Sequence, residues 1–160
     1  HYNKNELLTI FKEYADFPIN SHTNKFIEHI FQKRPIDTCE NLKKICLNFY
    51  RNLPYSKAIQ NITRIFQAIR IEVNNEFENI KQGLENAFNV IEPKGRILAI
   101  TYHSGEDKIV KNIFREYKSN NNIEKKFKLI NKKVIKPTFE EQKTNSSSRS
   151  AKLRIIERVI

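Results

Sequence analysis

The chain has 160 residues, 39% hydrophobic and 29% charged, with a net charge of +11 and a pI near 9.7. Such a chain is long and apolar enough for a globular core, which excludes a disordered polyelectrolyte; no apolar run approaches the roughly 20 residues of a membrane span, and no signal peptide or zinc-spaced Cys/His cluster is visible. The positive excess favours a polyanionic partner, nucleic acid or an anionic membrane surface, while the abundance of Lys, Asn and Ile also fits simple compositional bias.

Residues 5–15 predict a helix with Leu7, Leu8, Phe11 and Tyr14 on one side and Asn5 as its cap. Pro18 breaks the chain, and a second helix is expected from Ser21 or Thr23 through Phe26, Ile27, Ile30 and Phe31. After a linker around Pro35, Thr38 is placed to cap a third helix by accepting a hydrogen bond from a free amide. That helix presents Leu42, Ile45, Cys46 and Phe49. Cys39 and Cys46 are two helical turns apart, about 10 Å, too far for a disulfide; two reduced, partly buried thiols suit a cytosolic protein. Residues 51–62 carry Pro54 and are expected to be mostly loop. Residues 1–60 therefore form a small all-helical region.

From Thr63 onward, Phe66, Ile69, Val73, Phe77, Ile80, Leu84, Phe88 and Ile91 trace one face of a single long helix. Pro93-Lys94-Gly95 ends it in a turn. Residues 96–102 (RILAITY) are short and evenly apolar, which predicts a strand buried on both faces, as in a parallel sheet. A helix follows through Tyr117. Residues 118–126 are expected to be a loop, 127–136 a strand or ribbon, 137–145 one helical turn, 146–150 a flexible or phosphate-facing turn, and 151–160 a strand. The chain starts at His1 and contains no Met, so further residues are expected upstream.

His103, Ser104, Glu106 and Asp107 follow the carboxyl end of the predicted strand, where open α/β sheets place their ligands. A histidine there has a rigid mount and can hydrogen-bond or move protons near neutral pH. The competing reading is structural: Ser104 caps the next helix with Asp107 three positions on, as in a capping box, and His103 is a satisfied turn residue. Arg149, Lys152 and Arg154, interleaved with Ser148 and Ser150, form either a phosphate grip or a solvated basic tail. Arg64, Arg70 and Lys57 lie near the start of the long helix, and Gln67, Arg70 and Asn74 share a face that either reads RNA or packs on a neighbour. Neither a G-x-G-x-x-G fingerprint nor a Walker loop is present.

Residues 63–76 (TRIFQAIRIEVNNE), 93–96 (PKGR), 102–111 (YHSGEDKIVK) and 149–154 (RSAKLR) occur in order. Together they closely resemble the signatures of the ribosomal RNA small-subunit methyltransferase H family, the MraW type; residues 1–60 resemble its helical insertion only loosely. The resemblance implies a Rossmann-like methyltransferase sheet, here its carboxy-terminal half over residues 61–160, preceded by an insertion-like helical region over 1–60. It implies transfer of a methyl group from S-adenosylmethionine to the exocyclic amine of a cytosine in small-subunit (16S) rRNA, in the cytoplasm, on the 30S subunit. By this resemblance His103, Ser104, Glu106 and Asp107 line or support the target-base pocket. Arg64, Arg70, Lys108, Arg149, Lys152 and Arg154 are the expected RNA contacts.

The family's Gly-rich loop, its acidic residue after the second strand and its D-L-G-x-S-S segment have no counterpart in this sequence. The expectation is therefore that this chain holds no S-adenosylmethionine site, that a separately encoded amino-terminal half supplies it, and that the edge of the strand at Arg96 is left open. Gly105 stands where the family has Leu, and Lys94 where it has a turn glycine. The alternatives are a non-catalytic rRNA-binding or ribosome-assembly module derived from that enzyme, and a plain helical interaction domain without an RNA role.

Overall fold

Four helices build the first of two units in the computed structural model, which describes residues 2–119 and 126–160. The units are His1–Glu76 and Phe77–Ile160. Helix α1 spans Lys4–Ala15, α2 Ser21–Gln32, α3 Cys39–Phe49 and α4 Tyr55–Val73. Each of the first three starts at a residue whose side chain accepts a backbone N–H: Asn3 from Glu6, Asn20 from Thr23 and Thr38 from Asn41. Asn3 and Glu6 form a reciprocal capping box. The expected cap at Thr38 and the expected start at Ser21 are present, while the first cap is Asn3 rather than Asn5. Phe11, Phe26, Ile27, Cys46, Tyr50, Ile62, Ile65 and Ala68 are buried in the centre. Phe26 stacks on Tyr50 with centroids 5.4 Å apart. Cys39 is exposed and Cys46 buried, and burial pushes the Cys46 thiol up to about 12.

Two expectations fail in this unit. Residues 55–62 are helix, because Pro54 stands before the first helical residue, where its missing N–H costs nothing. The long helix is two helices: Asn75 takes a left-handed φ of 51° between α4 and α5, Glu76–Val90. Asparagine tolerates that conformation better than other non-glycine residues. The buried face of α4 is Ala58, Ile62, Ile65, Ala68 and Ile71, and Val73 is 69% exposed. The predicted stripe thus joined residues of two separate helices.

In the second unit α5 is followed by β1 (Arg96–Thr101), α6 (Ser104–Ser119), β2 (Phe127–Leu129), α7 (Phe139–Thr144), a 3₁₀ turn (Ser146–Ser150) and β3 (Lys152–Arg158). The strands form an antiparallel sheet in the order β1-β3-β2. Leu84 and Phe88 of α5, Val110 and Phe114 of α6, Phe127 of β2 and Ile156 of β3 make its core, with Ile97 and Ala99 of β1 packed against it. Tyr117 stacks flat on Phe88 at 3.6 Å and 8°. Among the described residues of this unit, α5 and α6 cover one sheet face. Leu98 and Ile100 point the other way and are 59% and 60% exposed.

This corrects the reading of β1 as a strand buried on both faces in a parallel sheet. Its partner is β3, antiparallel, with Leu98 opposite Ile155 and Ile100 opposite Leu153. Its other edge has no strand partner among the described residues. An α/β, helix-rich chain with few strands is what the structure contains. The polar loop expected at 118–126 falls mostly on residues outside the described ones.

Candidate functional site

The turn between β1 and α6 is built by Glu106. Its Oε2 accepts the backbone N–H of Tyr102 at 2.8 Å and of His103 at 3.3 Å. In return the Glu106 N–H points at His103 Nδ1, 3.4 Å away. The reciprocal cap is thus His103 with Glu106, not the expected Ser104 with Asp107. The distance rule was right and the register one residue off. With Nδ1 turned to a donor, the neutral imidazole carries its proton on Nε2. Nε2 lies 3.1 Å from Glu106 Oε1 without the N–H direction of a hydrogen bond, and it is a buried polar atom lacking a hydrogen-bond partner in the protein. Phe77 flanks the ring, centroids 5.9 Å apart.

Asp107 sits one residue further along α6 and faces the sheet. Arg154 Nε and Nη2 donate to its two carboxylate oxygens at 2.7 and 3.1 Å, and Lys152 Nζ donates at 3.4 Å. The strand period explains the meeting: residues 152 and 154 of β3 share the face that looks toward α6. The Arg154 hydrogen bonds hold the Asp107 carboxyl below the usual carboxylate range, against the opposing effect of partial burial.

Above this pair opens a cleft of about 290 Å³ lined by Tyr102, His103, Ser104, Lys136, Arg149 and Lys152. The structure therefore brings His103, Ser104, Arg149 and Lys152 to one place, with Glu106 and Asp107 beneath them as supports. Lys136 was missed. Its neighbour Ile135 bridges Leu153, which carries it to the rim, and a lone Lys in a Lys-rich ribbon gave no signal of that. Lys108 is exposed on α6. Arg64 and Arg70 belong to the first unit and have partners there. Arg64 Nη2 donates to the Ala15 carbonyl and its guanidinium lies over the Phe17 ring. Arg70 makes a forked pair with Glu76 at 2.7 and 3.0 Å.

None of the three glycines backs a cradle for a nucleoside or a phosphate. A Cβ on Gly105 would lie 2.5 Å from Phe77 Cζ, and one on Gly95 2.7 Å from Ile91 Cγ1. Gly83 is in mid-helix with nothing near it. The described residues do not fit a cofactor that needs a close backbone approach.

A family model described as the MraW methylase family matches residues 1–159. The chain belongs to that family. Curated relatives named ribosomal RNA small subunit methyltransferase H are 44% identical over 160 residues in Sulfurihydrogenibium sp. (strain YO3AOP1) and 41% over 158 residues in Persephonella marina, each alignment covering 99% of this chain and 53% of the relative. A third, from Brachyspira hyodysenteriae, is 36% identical over 159 residues with the same coverage. The chain spans about half the length of the curated relatives it matches.

Proposed function

We propose that this chain is the RNA-facing, carboxy-terminal half of an S-adenosylmethionine-dependent enzyme that methylates the exocyclic amine (N4) of a cytosine in small-subunit rRNA, acting on the 30S subunit in the cytoplasm. The observation that carries this reading is the cleft at the end of β1. It combines a histidine, whose Nε2 makes no hydrogen bond within the protein though it lies 3.1 Å from Glu106 Oε1, and three cations, Lys136, Arg149 and Lys152, on its rim. A cytosine amine is a poor nucleophile, so the base has to be splayed out and held in line with the methyl donor. His103 and Ser104 meet the ring of the target base, and the rim cations hold its flanking phosphates. Glu106 and Asp107 are positioning residues, since their oxygens already hold the turn amides and the β3 cations. Arg64, Arg70 and Lys108 are assigned to more distant RNA contacts.

The cofactor is assigned to a second polypeptide segment. The glycine-poor second unit and the open edge of β1 support this assignment. A strand added along Arg96–Thr101 would pair that edge and extend the sheet toward a doubly wound arrangement. In this division residues 1–60 are the insertion-like region and 61–160 the distal half of the methyltransferase sheet.

The test is a methyl-transfer assay with radiolabelled S-adenosylmethionine and 30S subunits, with calorimetry of cofactor binding. The chain alone is expected to bind no cofactor and transfer no methyl group. Mixed with a polypeptide covering the other half of a relative, it transfers methyl to cytosine, and His103→Ala reduces the rate at least tenfold. Cofactor binding by the chain alone would overturn the division of labour. RNA binding by the mixture without transfer would favour a non-catalytic ribosome-assembly module.

A further inference from the structure

A second cleft, of about 260 Å³, lies between α6 and the segment that follows β2. Lys111, Arg115 and Lys118 line one side at helical spacings of four and three. They therefore share one face of α6 and run along it for about 10 Å. Lys132 closes the cleft from the other side. Its position is fixed by its neighbour: Asn131 Nδ2 donates to the carbonyls of Lys133 and Leu153 at 2.8 and 3.2 Å, and Asn131 Oδ1 accepts the Ile155 N–H at 2.8 Å. The loop carrying Lys132 is thus pinned to β3. None of these four cations forms an ion pair among the described residues. In contrast, Arg96, Lys128, Lys152 and Arg154 of the sheet all do.

Four unpaired cations converging on one concavity repel one another and draw in an anion of matching spacing. A face of about 10 Å matches about three phosphates of one nucleic-acid strand, at one per 3.4 Å of helix axis. The cleft is also tied to the His103 cleft through Asp107. Arg154 lines the former and Lys152 the latter, and both are held by Asp107. One residue of each cleft is thus anchored on the same carboxylate, two positions apart on β3.

We infer that the cleft of Lys111, Arg115, Lys118 and Lys132 is a second phosphate-binding site that grips the RNA backbone flanking the nucleotide held at His103. This inference rests on the reading of the substrate as RNA, but not on methyl transfer. The experiment is fluorescence anisotropy of a short fluorescein-labelled RNA hairpin titrated with the full chain across a salt series. In the variant Lys111→Gln/Arg115→Gln/Lys118→Gln/Lys132→Gln, affinity is expected to fall at least tenfold. The slope of log affinity against log salt should shrink by about 2–3, at roughly 0.7–0.9 for each of about three phosphates. The control Lys25→Gln/Lys33→Gln/Lys43→Gln/Lys44→Gln removes the same charge from exposed sites of the first unit and is expected to change affinity less than threefold. Single Lys118→Glu, checked by circular dichroism, covers the case in which the quadruple variant misfolds, and should lower the slope by about 1. Equal weakening by the cleft variant and the control, or an unchanged slope, overturns the site. A methyl-transfer assay that fails while the cleft variant still loses hairpin binding sinks the enzymatic reading and leaves the cleft standing.

Discussion

Lys94 holds a φ of 67° in the turn that links α5 to β1, closed by the Gly95 N–H donating to the Glu92 carbonyl at 2.9 Å. A side chain with a Cβ is strained there by roughly 1–2 kcal/mol, and glycine is not. Part of that gain is offset by the greater freedom of glycine in the unfolded chain. Lys94→Gly is therefore expected to raise stability by roughly 0.5–1 kcal/mol, read as a shift in urea midpoint at constant m-value. Asp107 makes the opposite case. Its pKa is lowered in the folded state, so its contribution is complete above the ordinary carboxylate range and is lost as pH falls through that range and below. Asp107→Asn removes the negative charge and one of the two acceptor oxygens from Arg154 and Lys152 and is expected to cost roughly 1–3 kcal/mol at pH 7. The gap between wild type and variant, followed by urea melts from pH 7 to pH 3, should narrow on the acid side. A gap that stays constant over that span would refute the linkage.

At the scale of elements, β1 is the exposed part of the fold. Its inner residues Ile97 and Ala99 pack beneath α5 and α6, while Leu98 and Ile100 stay outside. A free edge beside an open apolar face invites pairing with another chain. Leu98→Lys is therefore expected to lower the sedimentation coefficient of the concentrated chain toward that of a monomer while costing less than about 1 kcal/mol of stability, as solvent-facing substitutions usually do. Sedimentation identical to wild type at every concentration would show that this face does not drive association. The turn at the end of β1 belongs to the same scale. The S-G-E-D pattern announced a cap, and a cap is there, but it uses His103 and Glu106 because the helix starts one residue earlier than the pattern suggested. A capping box is legible in sequence to within a residue; only backbone geometry settles which pair closes it.

For the whole molecule, the two units each carry their own core, Phe26 at the heart of one and Phe88 of the other. Truncating either ring should cost about 3–5 kcal/mol. Hydrogen exchange followed by mass spectrometry should show the protection loss of Phe26→Ala concentrated in residues 2–76 and that of Phe88→Ala in residues 77–160. Loss spread evenly over both units by either substitution would mean that they unfold as one.

The first three helices and α6, the final strand and the family were legible in the sequence alone. Local chemistry suffices for them. Asparagine and threonine accept free amides wherever a helix begins, β-branched runs favour strands, and four ordered motifs identify a family without any coordinates. The break at Asn75 was not legible, since the apolar period runs through it without interruption. Nor was the exposure of β1, because RILAITY is equally apolar whether one face or both are covered. The meeting of Lys111, Arg115 and Lys118 with Lys132 was hidden too. A charge on a helix surface gains meaning only when another segment folds opposite it, and that pairing depends on β3 returning between β1 and β2. Tertiary structure decided these points because burial and convergence are properties of what lies across from a residue, which no local pattern records.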